Sequence, residues 1–200
     1  MPKRRMAAPK PVAEAVLKEY RHRCAICGGD RPHLHHIDND PANNDPKNLI
    51  PLCPNCHLTD QHDPTAPADP RKLKLFREHK DPLILTPQFE PLFRRLTFLL
   101  DVDTSFSFDH ASAAAEELRS FVAALQMGQF YSSQLAELVA ATGFPMVWFP
   151  DMPEETERRQ LRDRAESYRQ KLLANRDAAL RLSVELLRYQ NWPPARTDLG

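Results

Sequence analysis

The four cysteines of the chain form two Cys-x-x-Cys pairs, Cys24/Cys27 and Cys53/Cys56, and none is left over. Two knuckles that each give two thiolates complete a tetrahedral Zn²⁺ with no open position, which makes these residues a structural zinc site. In a reducing compartment this spacing is a metal site before it is a disulfide framework. A redox Cys-x-x-Cys motif would not need the second pair. Histidine is clustered in the same stretch. His22, His33, His35, His36, His57 and His62 are six of the eight, inside 41 residues that hold every cysteine. One zinc is already saturated by the cysteines, so the histidines are not needed to hold it. Either they are the polar surface of a loop-rich zinc module, or they form a second, open metal site beside the first.

The order of residues separates these readings. Cys24-x-x-Cys27 is followed by Leu34-His35-His36-Ile37-Asp38, then by Asn48-Leu49-Ile50-Pro51-Leu52-Cys53-Pro54-Asn55-Cys56-His57. This string resembles the HNH endonuclease family, the ββα-metal or His-Me finger nucleases, in the subgroup pinned by a four-cysteine zinc. The intervals are similar too, with twelve positions from His36 to Asn48 and nine from Asn48 to His57. The resemblance covers about residues 20 to 62. It implies that His35 and His57 are ligands of a catalytic divalent metal and that His36 is the general base that activates water. It implies that Asn48 braces the loop between the strands and keeps the base oriented. The implied catalytic metal is Mg²⁺ or Mn²⁺. A two-histidine site also tolerates other divalent transition metals. The implied reaction is hydrolysis of a DNA phosphodiester to 5′-phosphate and 3′-hydroxyl.

Elementary chemistry agrees with these roles. Imidazole titrates near neutrality, so His36 can accept a proton from water at pH 7. A metal with few protein ligands keeps positions for phosphate oxygens and water. Adjacent strand residues point to opposite faces, so His35 and His36 need a local distortion to serve one site. Pro54 fits the first turn of a short helix that carries Cys56 and His57 side by side. Cys56 would face the zinc and His57 the other site, so losing zinc should disorder both. His33 and His62 are candidates for phosphate contact, and Arg21, His22 and Arg23 for the DNA backbone. Asp38, Asp40 and Asp45 read as turn formers. His79 and His110 lie outside the motif and read as surface residues.

The elements that must position these groups follow from periodicity and punctuation. Fourteen of the 19 prolines precede residue 92, so the first half is loop-rich and the second helical. Residues 12–20 read as a short helix leading into the first knuckle, and 71–80 as a short basic helix with Leu73 and Phe76 as its apolar side. Residues 82–103 carry no clear pattern. Residues 110–142 read as two helices, split by Gly128 and Ser132-Ser133, with Gly143 stopping the second. Asp151-Met152-Pro153-Glu154 reads as a helix start. The segment 154–190 then reads as one long helix or two, with Leu161, Ala165, Tyr168, Leu172, Leu180, Val184 and Leu187 on one side. The expected fold class is α+β, mostly α: a small zinc-pinned ββα-metal finger followed by a predominantly helical C-terminal region. The expected divisions are a basic arm and short helix at 1–19, the nuclease finger at 20–62, a linker and connecting segment at 63–109, and a helical domain at 110–200.

Charge bears on partners. Lys+Arg and Asp+Glu are both 27, which excludes a polybasic nucleic-acid binder at the level of the whole chain. Residues 1–62 carry +2 and the remainder −2. Phosphate contacts each need a cation, so a +2 finger implies weak non-specific DNA affinity unless something delivers the substrate. Residues 110–190 are therefore expected to dock a protein partner or a second copy, as in the nuclease subunit of a restriction or antiphage defence complex. No apolar stretch approaches the roughly 20 residues of a membrane span, and the chain reads as cytoplasmic. No Walker-type loop is present. The competing reading is a non-catalytic zinc module that binds nucleic acid or a protein; it would have no use for His36, Asn48 and His57 together. RNA in place of DNA is a third.

Overall fold

A computed structural model describes residues 8–57, 69–143 and 147–190. The chain divides into two compact units, Met1–Leu85 and Thr86–Gly200. The fold class is α+β and mostly α, with one two-stranded antiparallel sheet among the described residues.

In the first unit, α1 (Lys10–Glu19) opens with proline in its first turn and buries Val16. Strands β1 (His33–His36) and β2 (Leu49–Leu52) pair antiparallel, with His35 opposite Ile50 and His36 opposite Leu49. All four residues of β2 are buried. Pro51 lacks an N–H to give the ladder, but its carbonyl accepts from the Ala25 N–H at 2.8 Å, which ties the first knuckle to the strand. A lone two-stranded hairpin is marginal in water and needs cover. Helix α2 (Pro70–His79) belongs to this unit and buries Leu73, Leu75, Phe76 and Arg77. Its start is capped by the Asp69 carboxylate, which accepts from the Arg71 N–H at 2.8 Å. Lys80 ends it in the left-handed conformation.

Arg77 joins the parts of this unit. Its guanidinium donates to the Leu49 carbonyl at 2.9 Å, to the Pro46 carbonyl at 3.3 Å and to both Glu19 oxygens, and it lies over the Tyr20 ring. One side chain thus connects α2 to α1, to the 3-10 turn Pro46–Asn48 and to β2. The Arg77 guanidinium, followed by Lys80, outweighs burial and holds the Glu19 carboxyl down to about 2.

The second unit is helical: α3 (Glu90–Asp101), α4 (Phe108–Ala123), α5 (Gly128–Val139) and α6 (Glu154–Leu187). The unpatterned stretch 82–103 resolves into two 3-10 turns, Pro82–Leu85 and Pro87–Phe89, followed by α3. Leu96, Leu99, Leu118, Leu135, Val139 and Leu172 are buried in this unit. Tyr168 is fully buried, and its hydroxyl donates to the Val139 carbonyl at 2.7 Å. Burial pushes its phenol up to about 12.

Three local expectations are corrected. Ser132 and Ser133 sit inside α5; the break between α4 and α5 falls at 124–127, where Met127 is left-handed. A Cβ at Gly128 would lie 2.0 Å from the Val122 carbonyl oxygen, so glycine is what lets α5 start against the end of α4. Asp151 does not cap α6. The N-cap is Pro153, and Glu154, Glu155 and Glu157 supply negative charge to the first turn. Leu161 is 45% exposed, although it shares a stripe with buried Tyr168 and Leu172. At about 1.5 Å per residue α6 is roughly 50 Å long, far longer than its neighbours α4 and α5, so its first turns outrun their cover.

No helix among the described residues is long and apolar enough to cross a membrane. Residues 1–7 of the basic arm, His62 and most of the 63–70 linker lie outside the described residues.

Candidate metal centre and histidine pair

The first knuckle is a tight turn closed by backbone hydrogen bonds, Gly28 N–H to the Cys24 carbonyl and Cys24 N–H to the Gly29 carbonyl. Gly28 supplies the left-handed residue at φ +72°. A Cβ on Gly29 would meet Cys27 Sγ at 3.2 Å, tighter than an ordinary contact. The second knuckle follows β2 directly. The chain turns helical at 54–57, where the His57 N–H donates to the Cys53 carbonyl at 2.9 Å.

The two knuckles bring the four sulfurs of Cys24, Cys27, Cys53 and Cys56 within 4.8 Å of one another, close enough to hold one metal ion. Cys27 and Cys53 sulfurs are 3.6 Å apart. A Zn–S bond of about 2.3 Å in a tetrahedron sets neighbouring sulfurs roughly 3.8 Å apart, so the donor set fits zinc in number, type and spacing. Burial raises the Cys24 thiol, but backbone N–H groups of Cys27, Cys53 and Ile26 outweigh it and bring the thiol down to about 7. Burial and the adjoining cysteines push the Cys56 thiol up. Four sulfurs this close cannot all carry charge without a cation among them.

The histidines divide. His35 is buried, and its ring meets the His57 ring edge-on, with centroids 5.1 Å apart and planes at 81°. These are the two residues expected to share a catalytic metal. His36, the last residue of β1, engages a different partner: its Nε2 lies 3.2 Å from the Asn44 side-chain oxygen.

Asn48 laces the loop between the strands. Its side-chain oxygen accepts from the Asp38 N–H at 3.1 Å, and its amide donates to the Asp38 carboxylate and the Asn43 carbonyl, both at 2.9 Å. The aspartates serve turns here. Asp38 accepts from the Asp40 N–H and the Asn43 amide, Asp40 from the Ala42 N–H, and Asp45 from the Lys47 N–H. Burial raises the Asp38 carboxyl, but these donors and the nearby His36 outweigh it and hold the group below the usual range.

The remaining candidates are peripheral. His22 and His33 are exposed. Arg21, His22 and Arg31 adopt left-handed backbone, and Arg23 pairs with Asp30 on the surface. His79 is half-buried in α2, and His110 is exposed on α4.

Two residues of consequence were not singled out by sequence reasoning. Asn44 is one of several amides in an Asp-Asn-rich loop, and type alone does not distinguish it. Arg77 left a usable signal, a charged residue four positions from Leu73 on the apolar side of α2. No protein-family model, curated protein or solved structure matches the chain.

Proposed function

We propose that the first unit is a metal-dependent HNH-type endonuclease finger, and that it hydrolyses DNA phosphodiesters to 5′-phosphate and 3′-hydroxyl. The observation that carries this reading is the His35–His57 ring pair, held beside a four-cysteine cluster by the residue that follows Cys56. A bland zinc module needs the cysteines alone. In this reading zinc fixes the two knuckles, and His35 and His57 hold Mg²⁺ or Mn²⁺. When bound, that divalent ion polarises the phosphate and neutralises the leaving oxygen.

His36 accepts a proton from water as the water oxygen attacks phosphorus. The bond from phosphorus to the 3′ oxygen breaks, and that oxygen leaves with a proton from solvent. Asn48 keeps the loop that follows the base in one conformation. The near-neutral charge fits a finger delivered to DNA by something else, so residues 110–190 are assigned to a protein partner or a second copy. A cytoplasmic nuclease subunit of a restriction or antiphage system would have this build.

The test is nicking of supercoiled plasmid by zinc-loaded protein with Mg²⁺, Mn²⁺ or EDTA, beside His57→Ala. Nicking that requires the added metal and is lost in the variant supports the reading. Folded, zinc-loaded protein that cuts neither DNA nor RNA would leave a binding module.

A further inference from the structure

We propose that Asn44 is a positioning residue that fixes His36 in the Nε2–H tautomer and leaves Nδ1 as its proton acceptor. The part of this that concerns catalysis rests on the nuclease reading above.

Donor inventory fixes the tautomer. The group facing His36 Nε2 at 3.2 Å is the Asn44 side-chain oxygen. An amide oxygen only accepts, so Nε2 must carry the hydrogen and donate it. The neutral ring then has its lone pair on Nδ1. This nitrogen has no hydrogen-bond partner among the described residues. A base whose proton already sits on the nitrogen facing the protein offers the other one to water.

The loop makes the contact specific. Both neighbours of Asn44 are pinned. The Asn43 amide donates to Asp38 at 2.7 Å, and the Asn43 side-chain oxygen accepts from the Asp45 N–H at 3.2 Å. Asp45 in turn accepts from the Lys47 N–H at 2.8 Å. Asn48 reaches this stretch through the Asn43 carbonyl. None of its side-chain hydrogen bonds among the described residues goes to His36. The Asn48 side chain therefore acts on His36 at a distance, its carbonyl holds the neighbouring Ile37 N–H at 2.8 Å, and Asn44 is the side chain that touches the ring. A bracing residue and an orienting residue are two different asparagines here.

The test is long-range ¹H–¹⁵N correlation of histidine-labelled, zinc-loaded full-length protein at about pH 9, well above the ordinary imidazole pKa of about 6.5. Wild type should show His36 as a single Nε2–H tautomer. Asn44→Ala should give the averaged shifts of a mixed population. Asn44→Asp, which keeps an acceptor at the same place, should restore the single form. Unchanged zinc content and helical signal in all three would show that the fold is intact. In plasmid cleavage Asn44→Ala should lower kcat on the order of tenfold or more, with KM unchanged. An Nδ1–H tautomer in wild type, or the same tautomer and rate in Asn44→Ala, would overturn the assignment. A wild type that cuts nothing yet holds the Nε2–H form through Asn44 would overturn the nuclease reading and leave the Asn44 assignment standing.

Discussion

Cys56 and His57 are adjacent on one helical turn and face different groups. The Cys56 sulfur lies in the four-sulfur cluster, and the His57 ring lies against His35. The cysteine cluster and the histidine pair are therefore mechanically linked through a single peptide bond. Purified protein should carry one zinc per chain by elemental analysis. Cys56→Ser, or a strong chelator, should remove it and abolish the His35–His57 contact in the histidine NMR spectrum. Structural zinc contributes about 10 kcal/mol or more to folding small modules, so residues 24–57 should lose their order. The helical signal of α3 to α6 should survive. A zinc-free protein with unchanged histidine shifts would break the link.

Arg77 has one of its hydrogen bonds to the β2 backbone and two to Glu19. Arg77→Ala would leave the Leu49 carbonyl unsatisfied and Glu19 without its main partner. The expected loss is about 2 kcal/mol or more, read by denaturant unfolding.

The same pair predicts an acid limb. Glu19 has a folded pKa of about 2 against an ordinary 4.5. Its stabilisation is fully present above the unfolded value and is lost as pH falls from about 4.5 toward 2. Glu19→Gln should flatten the stability profile of the first unit in that window. A profile identical to wild type would show that Arg77 does not hold the carboxylate in solution.

Asn48→Ala should open the loop. Three hydrogen bonds disappear, and the Asp38 N–H loses its acceptor. Amide exchange across 38–48 should rise, with a stability cost of about 1–2 kcal/mol. Protection equal to wild type would remove Asn48 from its bracing role.

Tyr168→Phe tests the buried hydroxyl of the second unit. It deletes the donor that lies 2.7 Å from the Val139 carbonyl and 3.4 Å from the Ala111 carbonyl, and keeps the ring. The expected cost is about 1–2 kcal/mol, measured as a shifted unfolding midpoint at constant slope. A neutral substitution would mean that the carbonyl finds another donor.

What the sequence makes legible depends on distance along the chain. The cysteine cluster could be read because metal ligation by two knuckles imposes its spacing on neighbouring residues. Helices α2, α4, α5 and α6 were legible because apolar periodicity is local. Their boundaries were less so. Gly128 reads as a breaker, yet its role is to admit the Val122 carbonyl, a contact made in space. Leu161 reads as core because it keeps the stripe, while its exposure depends on where the shorter helices stop. The Arg77 network spans 58 positions back to Glu19, and no local pattern encodes such a reach. Asn44 is hidden for another reason. Five side chains of the loop are Asp or Asn between 38 and 44, and only the folded lacing decides which of them meets His36.

In the proposed reaction this finger hydrolyses DNA with His36 as base. Its most direct test is single-turnover cleavage of an end-labelled duplex by zinc-loaded wild type and His36→Ala, with Mg²⁺ or Mn²⁺ supplied. Wild type should give nicks with 5′-phosphate and 3′-hydroxyl ends that DNA ligase reseals. The rate should be lower by about 10²- to 10⁴-fold in the variant, with zinc content unchanged. Cleavage by His36→Ala at the wild-type rate, or nicks that ligase cannot close, would contradict it.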